Sequence, residues 1–158
     1  MYNENVYTEG IVYERVWEAY DELPENIKGL LEKEKYEIYV VDQLKSNEIG
    51  YVTLGKTYFI PRIIKISNLD LCVKRTTFHE IGHVIDDEAT LKFISGSDEF
   101  IDIYLDEKEN FRVSNNYDYF TSTEIEYFAQ AFSEYMMDPY RLKTYTPRTY
   151  DFIEQCLK

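Results

Sequence analysis

Basic residues are scarce in this sequence. Its 17 lysines and arginines stand against 30 aspartates and glutamates, so the formal net charge is −13. A surface that binds a nucleic-acid duplex needs clustered lysines and arginines to replace the counterions of the phosphates, and an anionic membrane attracts the same cations. The composition therefore argues against a nucleic-acid partner and against binding to an anionic membrane surface.

Long apolar runs are also missing. No stretch approaches the roughly 20 apolar residues that a transmembrane helix needs, so we expect no membrane insertion. The first ten residues, MYNENVYTEG, have neither the basic region nor the apolar region of a signal peptide. We therefore expect either a protein that works inside the cell or one whose signal was removed.

Cysteine is rare as well. Cys72 and Cys156 are the only two, lie far apart in the chain and form no CxxC pattern. We expect two buried or half-buried thiols rather than a disulfide.

The order of the predicted elements indicates an α+β fold. No repeat, low-complexity stretch or linker interrupts the chain, so we expect a single domain over residues 1–158. Strands and helices are grouped rather than alternated. Apolar periodicity predicts helices at residues 10–34 (broken near Pro24), 69–87, 97–108, 121–137 and 147–157. Strands are predicted at residues 36–41, 51–54 and 57–66.

Several finer predictions concern the ends and edges of these elements. Asn68 is the predicted N-cap of the 69–87 helix, and Thr121-Ser-Thr-Glu124 resembles a capping box that opens the 121–137 helix. A turn is predicted at Gly55-Lys56, and Pro61 makes the 57–66 strand an edge or interrupts it. An edge strand beside an active site could pair with an extended peptide. The buried side of the 69–87 helix is predicted to carry Leu71, Phe78, Ile81 and Ile85.

The clearest motif is the pattern HExxH at residues 79–83. His79 and His83 are four residues apart, so on a helix their imidazoles lie one above the other and can converge on one ion. Zinc prefers nitrogen ligands in near-tetrahedral geometry. Glu80 is placed to reach a water in the open position of that ion. These are the only two histidines in the chain, which favours a zinc site over a chance match.

A catalytic zinc needs a third protein ligand. No third histidine exists, and Cys72 lies on the same predicted helix, so a carboxylate from the 121–137 helix is the best candidate. Glu124, Glu126 and Glu134 are available there. Glu126 borders the apolar face, whereas Glu124 suits the capping role and Glu134 points away. Periodicity alone favours Glu126 as a solvated surface residue over a metal ligand.

Several segments together resemble a known family. They are HEIGHVIDD at residues 79–87, FIDIY at 100–104, Tyr119, EYFAQAF at 126–132, and Arg141-Leu-Lys143 followed by Phe152-Ile153. In this order they resemble the catalytic domain of anthrax lethal factor and its smaller relatives, the bacterial Pro-Pro endopeptidases. The resemblance runs from residue 79 to near the end of the chain and is more specific than HExxH alone, whereas residues 1–66 carry no motif that aligns.

The resemblance implies a zincin fold of the gluzincin type. Its upper part is a small mixed sheet with the metal helix, and its C-terminal helical region supplies a glutamate. It implies one zinc ion with His79, His83 and Glu126 as ligands, Glu80 as general base and Tyr119 as the residue that stabilises the oxyanion. Without the resemblance, Tyr119 could not be chosen over Tyr117 or Tyr104. It further implies a secreted, toxin-related peptidase, and we expect a monomer.

One position departs from the family pattern. Lethal factor has Ala-Glu-Ala-Phe where this chain has Ala129-Gln130-Ala131-Phe132. A glutamate there could support the metal ligands, whereas Gln130 can accept a hydrogen bond but carries no charge. The substitution bears on the strength of zinc binding and not on the ligand set.

The expected substrate is an extended peptide or protein. Residues 86–109 carry nine acidic residues, which would favour basic residues near the cut if this segment bordered the cleft, although a solvated acidic surface explains them as well. Cleavage between prolines would follow the smaller relatives, but no proline pocket can be read from the sequence. Two alternatives remain: a non-catalytic zincin-like binding module of a toxin, and an intracellular regulatory metallopeptidase that cuts a repressor or partner.

Overall fold

The computed structural model describes residues 5–44, 52–88, 93–113 and 115–158. The chain divides into two compact units, Met1–Glu80 and Ile81–Lys158, and the division falls inside one helix. The single domain over residues 1–158 stays a prediction. No helix within the described ranges is long and apolar enough to span a bilayer.

The first unit contains a four-stranded mixed sheet. The elements of this unit in chain order are β1 (Val6–Tyr7), α1 (Ile11–Asp21), α2 (Glu25–Lys33), β2 (Glu37–Val41), β3 (Gly55–Tyr58) and β4 (Ile63–Ser67). Strand β2 pairs with β1 in antiparallel and with β4 in parallel orientation, and β3 pairs with β4 in antiparallel orientation, so the order is β1-β2-β4-β3.

The predicted break in the first helical segment is confirmed. Helix α1 ends at Asp21, and Pro24 is the N-cap of α2 with φ −56° and ψ 144°. A proline at this position costs no helical hydrogen bond, because the first backbone positions of a helix have no internal acceptor.

The predicted interruption of the 57–66 segment at Pro61 is confirmed, and it divides the segment into two strands. These residues form a β-hairpin in which Tyr58 pairs with Ile63, and Pro61 lies in the connecting turn after a cis peptide bond. Gly55 and Lys56, predicted as a turn, begin β3. The edge is therefore β3, while β4 lies inside the sheet. Of the 51–54 strand, Thr53 makes an isolated bridge to Leu44, and residue 51 lies outside the described part.

The metal-motif helix, α3, spans Val73–Glu88 and starts later than predicted. Asn68 does not cap it. Instead Asp70 Oδ1 accepts a hydrogen bond from the Cys72 backbone N–H at 2.7 Å, which turns the chain just before the helix. Leu71 is therefore outside the helix and is 93% exposed, contrary to its predicted burial. The predicted buried positions Phe78, Ile81 and Ile85 are confirmed.

The second unit is helical beyond α3. Its elements are a 3₁₀ turn (Ile94–Gly96), α4 (Asp98–Glu107), a second 3₁₀ turn (Lys108–Asn110), α5 (Tyr117–Phe120), α6 (Glu124–Met137), α7 (Pro139–Tyr145) and α8 (Pro147–Cys156). The N-cap of α6 is Thr123 rather than Thr121, because the Thr123 hydroxyl accepts from the Glu126 N–H.

Aromatic rings form much of the core of this unit. Phe100 of α4 lies edge-on to Phe128 of α6, with ring centroids 5.3 Å apart, and Phe111 lies 4.7 Å from Tyr127. Tyr127 is fully buried, and its hydroxyl lies 2.9 Å from Thr149 Oγ1. Burial raises the pKa of this phenol, so the neutral form is the stable one inside the core.

The two cysteines are free thiols. Cys156 is half-buried, and burial raises its pKa to about 11. Cys72 is exposed, contrary to the expectation of two buried or half-buried thiols. It lies before α3 rather than on its buried side.

Candidate metal centre

Helix α3 places both histidines on one side. His79 and His83 are one turn apart, His79 is 7% exposed and the His83 side chain is 13% exposed. The division between the two units falls between the two histidines, after Glu80. Both histidines nevertheless belong to one continuous helix, and the helix sets the spacing between them. Apolar neighbours at Phe78, Ile81 and Val84 keep this stretch of helix in the core.

Gly82, between the histidines, lets α3 and α6 approach closely. A Cβ at this position would lie 2.8 Å from the Ala129 Cα and 2.9 Å from the Ala129 carbonyl oxygen. Only glycine fits without a shift of one helix, because real Cβ contacts are longer than this. Ala129 lies three residues after Glu126 on α6, so the same approach brings Glu126 towards His83.

The ligand atoms of three residues converge. His83 Nε2 lies 3.7 Å from Glu126 Oε2, and single ligand atoms of His79, His83 and Glu126 all lie within 4.8 Å of one another. Two ligands about 2.0–2.1 Å from a tetrahedral ion are about 3.4 Å apart. The His83–Glu126 separation is too long for a hydrogen bond and close to that value, so the donor set and its spacing fit a zinc ion.

Glu126 lies in the first turn of the helix that carries it. Glu126 is the third residue of α6, and the backbone N–H of Glu126 donates to the N-cap Thr123 at 3.2 Å. A carboxylate in the first turn of a helix interacts favourably with the positive end of the helix dipole. A carboxylate must be deprotonated to bind a metal ion, and this position is compatible with that charge.

The other two candidate glutamates are placed elsewhere. Glu124 is the first residue of α6 and is outside the three-residue group. Glu134 is buried, and its carboxylate accepts from Arg141 Nη2 at 2.6 Å and from Gln130 Nε2 at 2.9 Å. Gln130, where lethal factor has glutamate, thus donates to a buried carboxylate, which a glutamate at this position could do only in its protonated form.

The Glu80 side chain contacts the edge strand β3. It is 6% exposed, and Thr57 Oγ1 of the edge strand β3 lies 2.7 Å from Glu80 Oε2 and 3.0 Å from the Glu80 backbone oxygen. A hydroxyl has one proton, so its shorter contact assigns that donor to the carboxylate. Thr57 was missed from the sequence, because its contact with Glu80 spans 23 residues.

The close approach of β3 to Glu80 depends on a second glycine. A Cβ at Gly55 would lie 2.6 Å from Thr76 Cγ2 and 2.7 Å from Glu80 Oε1. The backbone of β3 can therefore lie directly beside the carboxylate. The sequence signal was Gly55 itself, but a turn is the more frequent reason for glycine next to a strand.

Tyr119 lies on α5, just before the helix that carries Glu126. Its side chain is 56% exposed, and its ring packs edge-on against Phe120 at 5.4 Å. The two competing tyrosines have hydroxyls that donate to backbone carbonyls: Tyr104 to Thr121 at 2.7 Å, and Tyr117 to Lys108 at 2.9 Å. The hydroxyls of Tyr104 and Tyr117 thus serve backbone acceptors within the second unit.

The acidic segment 86–109 is only partly a solvated surface. Asp86 is buried and accepts from both the backbone N–H and the hydroxyl of Ser95, each at 2.7 Å. Glu107 is buried and accepts from the Arg148 and Thr149 backbone N–H groups at the start of α8. The Arg148 guanidinium pairs with Asp102 at 2.6 Å and with Asp106 at 2.8 Å. Four of the nine acids therefore have partners within this unit.

One family model matches most of the chain. The family model described as anthrax toxin lethal factor, N- and C-terminal domain, matches residues 25–156. The chain belongs to this family. The match reaches far upstream of residue 79, where the sequence motifs began.

Among solved structures, the PRO-PRO endopeptidase from Paenibacillus alvei shares the fold. The TM-score is 0.75 with 20% sequence identity, and the match covers 94% of each chain. The predicted α+β zincin-like fold is thereby confirmed. Comparison with curated proteins gave no match.

Proposed function

We propose that this protein is a zinc-dependent metalloendopeptidase. The observation that carries the proposal is the convergence of His79, His83 and Glu126, whose ligand atoms lie within 4.8 Å of one another. Membership of the lethal factor family and a fold shared with a Pro-Pro endopeptidase support the same reaction class. The HExxH motif, the position of Glu126 and membership of the family support the proposal separately.

In this proposal His79, His83 and Glu126 hold one zinc ion. Bound zinc lowers the pKa of a water and polarises the scissile carbonyl. Glu80 accepts the proton of the attacking water and later delivers it to the leaving amine. Thr57, 2.7 Å from the Glu80 carboxylate, keeps that carboxylate in one orientation.

Tyr119 is the proposed donor to the oxygen that becomes negative in the tetrahedral intermediate. The support is the family resemblance, together with the exposure of Tyr119 on α5, just before the helix that carries Glu126. We expect Tyr119→Phe to lower kcat about 100-fold or more, with zinc still bound. An unchanged kcat with unchanged zinc content would remove Tyr119 from the mechanism.

The proposed substrate is an extended peptide that pairs with β3. Among the described strands, β3 has a partner on one side only, namely β4, and its Gly55 lies directly beside Glu80. A peptide added to this edge would pass the general base. Cleavage between prolines is a candidate specificity, because the solved structure that shares the fold is a PRO-PRO endopeptidase. A preference for basic residues has less support, because four of the nine acids are already paired or buried.

The metal assignment can be tested with two neighbouring glutamates. Glu126→Gln is expected to lose zinc from the purified protein, as measured by elemental analysis and by competition with a chelator, because an amide replaces the anionic ligand. Glu124→Gln, two residues earlier on the same helix, is the matched control and is expected to retain one zinc per chain. Equal zinc content in the two variants would refute the assignment.

The reaction can be tested on a peptide library that includes a series with consecutive prolines. The zinc-loaded wild type is expected to cleave internal peptide bonds, whereas Glu80→Gln should keep its zinc and lose turnover. Cleavage by Glu80→Gln at the wild-type rate would rule out the scheme. Full zinc content without hydrolysis of any peptide would instead support the non-catalytic binding module.

Secretion and a monomeric state belong to the same proposal and rest on the resemblance. We expect the protein in the culture medium of cells that produce it from the complete gene, and a single chain in solution by light scattering. Retention inside the cells would favour the intracellular regulatory peptidase.

A further inference from the structure

An open cavity of about 380 Å³ lies within the first unit. It borders α1, the end of α2 and the beginning of β2. None of the residues assigned to the metal centre lines it. We call it the tyrosine groove, defined by Trp17, Tyr20, Glu32, Tyr36, Glu37 and Tyr39.

Two rings of the tyrosine groove, those of Trp17 and Tyr20, pack against each other. Trp17 lies edge-on to Tyr20, with centroids 5.4 Å apart, and edge-on to Tyr13 at 6.1 Å. Trp17 is nevertheless 37% exposed. Ring faces attract cations through their quadrupole, and tryptophan does so most strongly. Rings already fixed by packing lose little entropy when a ligand binds.

The charges of the groove favour the same kind of ligand. Glu32 and Glu37 line it, and no lysine or arginine is among its lining residues. The Tyr39 hydroxyl donates to Glu37 at 2.7 Å, and this hydrogen bond raises the Tyr39 pKa. Lys28, whose charge acts on the Tyr20 hydroxyl, forms an ion pair with Glu25 at 3.0 Å.

The groove runs beside an open stretch of strand. Strand β1 is only two residues long and pairs with Val40 and Val41 of β2. On that side residues 37–39 of β2 have no partner strand in the described part of the chain, although β4 covers their other side. In this register residues 8–10 would lie opposite residues 37–39, but they form bends rather than a strand, and α1 begins at Ile11. Ile38 therefore has no strand partner on that side among the described residues.

We propose that the tyrosine groove binds an extended polypeptide segment through a lysine or arginine side chain. The cation lies among the aromatic rings and the two carboxylates, while the backbone of the segment pairs with residues 37–39 of β2. A free quaternary ammonium ligand would satisfy the rings but leave the strand edge unused, so the open edge selects a polypeptide. The site uses no residue of the metal centre and is independent of the proposed catalysis.

The test uses the intrinsic fluorescence of Trp17, which is the only tryptophan in the chain. Glu80→Gln protein serves as the background, so that cleavage does not consume the peptide. The probes are one extended peptide with a central lysine, its norleucine analogue, and a version with N-methyl groups on alternate backbone nitrogens. We expect the lysine peptide to change Trp17 emission and to bind about tenfold more tightly than the norleucine analogue at low salt. The N-methylated peptide is expected not to bind.

Two double variants with the same change in net charge test whether binding depends on the glutamates of the groove or on the overall negative charge of the protein. Glu32→Gln combined with Glu37→Gln is expected to weaken the lysine peptide about tenfold, whereas Glu14→Gln combined with Glu18→Gln, on α1 outside the groove, should leave its affinity unchanged. Circular dichroism confirms that both pairs fold. Any one of three results would overturn the proposal. They are equal affinity for the lysine and norleucine peptides, equal loss of affinity in both double variants, and undiminished binding of the N-methylated peptide.

Discussion

The close approach of α3 and α6 at Gly82 offers a sharp test of how the metal centre is assembled. In Gly82→Ala the new Cβ would lie 2.8 Å from the Ala129 Cα, whereas ordinary contacts start at 3.4 Å. The two helices must therefore separate locally by about 0.6 Å. Metal–ligand distances tolerate only about 0.2 Å, so Glu126 could no longer bind the ion together with the histidines without further rearrangement.

The size of the effect follows from two opposed terms. Alanine is favoured over glycine in a helix by about 1 kcal/mol, but overpacking a close-packed contact costs about 1–3 kcal/mol. We expect the apo-protein to lose up to about 2 kcal/mol of unfolding free energy. Zinc affinity is expected to fall about 10- to 100-fold, the range seen when the support of a metal ligand is disturbed.

The matched control is Gly29→Ala on α2. Nothing lies within 4 Å of a Cβ at Gly29, and this glycine is exposed in a helix. The control should gain up to about 1 kcal/mol in stability and keep its zinc affinity. Zinc affinity is measured by competition with a chromophoric chelator, and stability by urea unfolding of the apo-protein. A Gly82→Ala protein with wild-type zinc affinity would refute the argument that this contact positions Glu126.

Further predictions concern hydrogen bonds that the structure revealed. Thr57→Val, which keeps the shape but removes the donor to Glu80, should lower kcat about tenfold without loss of zinc; unchanged kcat would show that this bond has no part in turnover. Glu107→Ala leaves two backbone N–H groups of α8 without their acceptor and should cost about 1–3 kcal/mol, and a smaller loss in urea unfolding would contradict the capping role. Burial raises the pKa of Asp86, so its native form binds the proton more readily than the unfolded chain and its contribution to stability falls as pH rises through the acid range. Asp86→Asn should therefore gain stability relative to the wild type between about pH 3 and pH 6, and a difference that is constant with pH would contradict this.

The sequence by itself determined the local features of this protein. The spacing of His79 and His83 follows from the helical repeat, and the break at Pro24 follows from the missing N–H. The absence of a third histidine pointed to a carboxylate, and family motifs selected Glu126. All of these arise from residues a few positions apart or from a pattern shared by relatives.

Only the tertiary structure decided which distant residues meet. The interruption at Pro61 was expected, but the sequence did not predict that the two halves of the 57–66 segment form a hairpin or that Gly55 and Thr57 lie beside Glu80. The burial of Asp86 and Glu107 removed them from the solvated acidic surface. The physical reason is that packing and hydrogen bonding join residues tens of positions apart. Such contacts produce no periodic pattern in the amino-acid sequence.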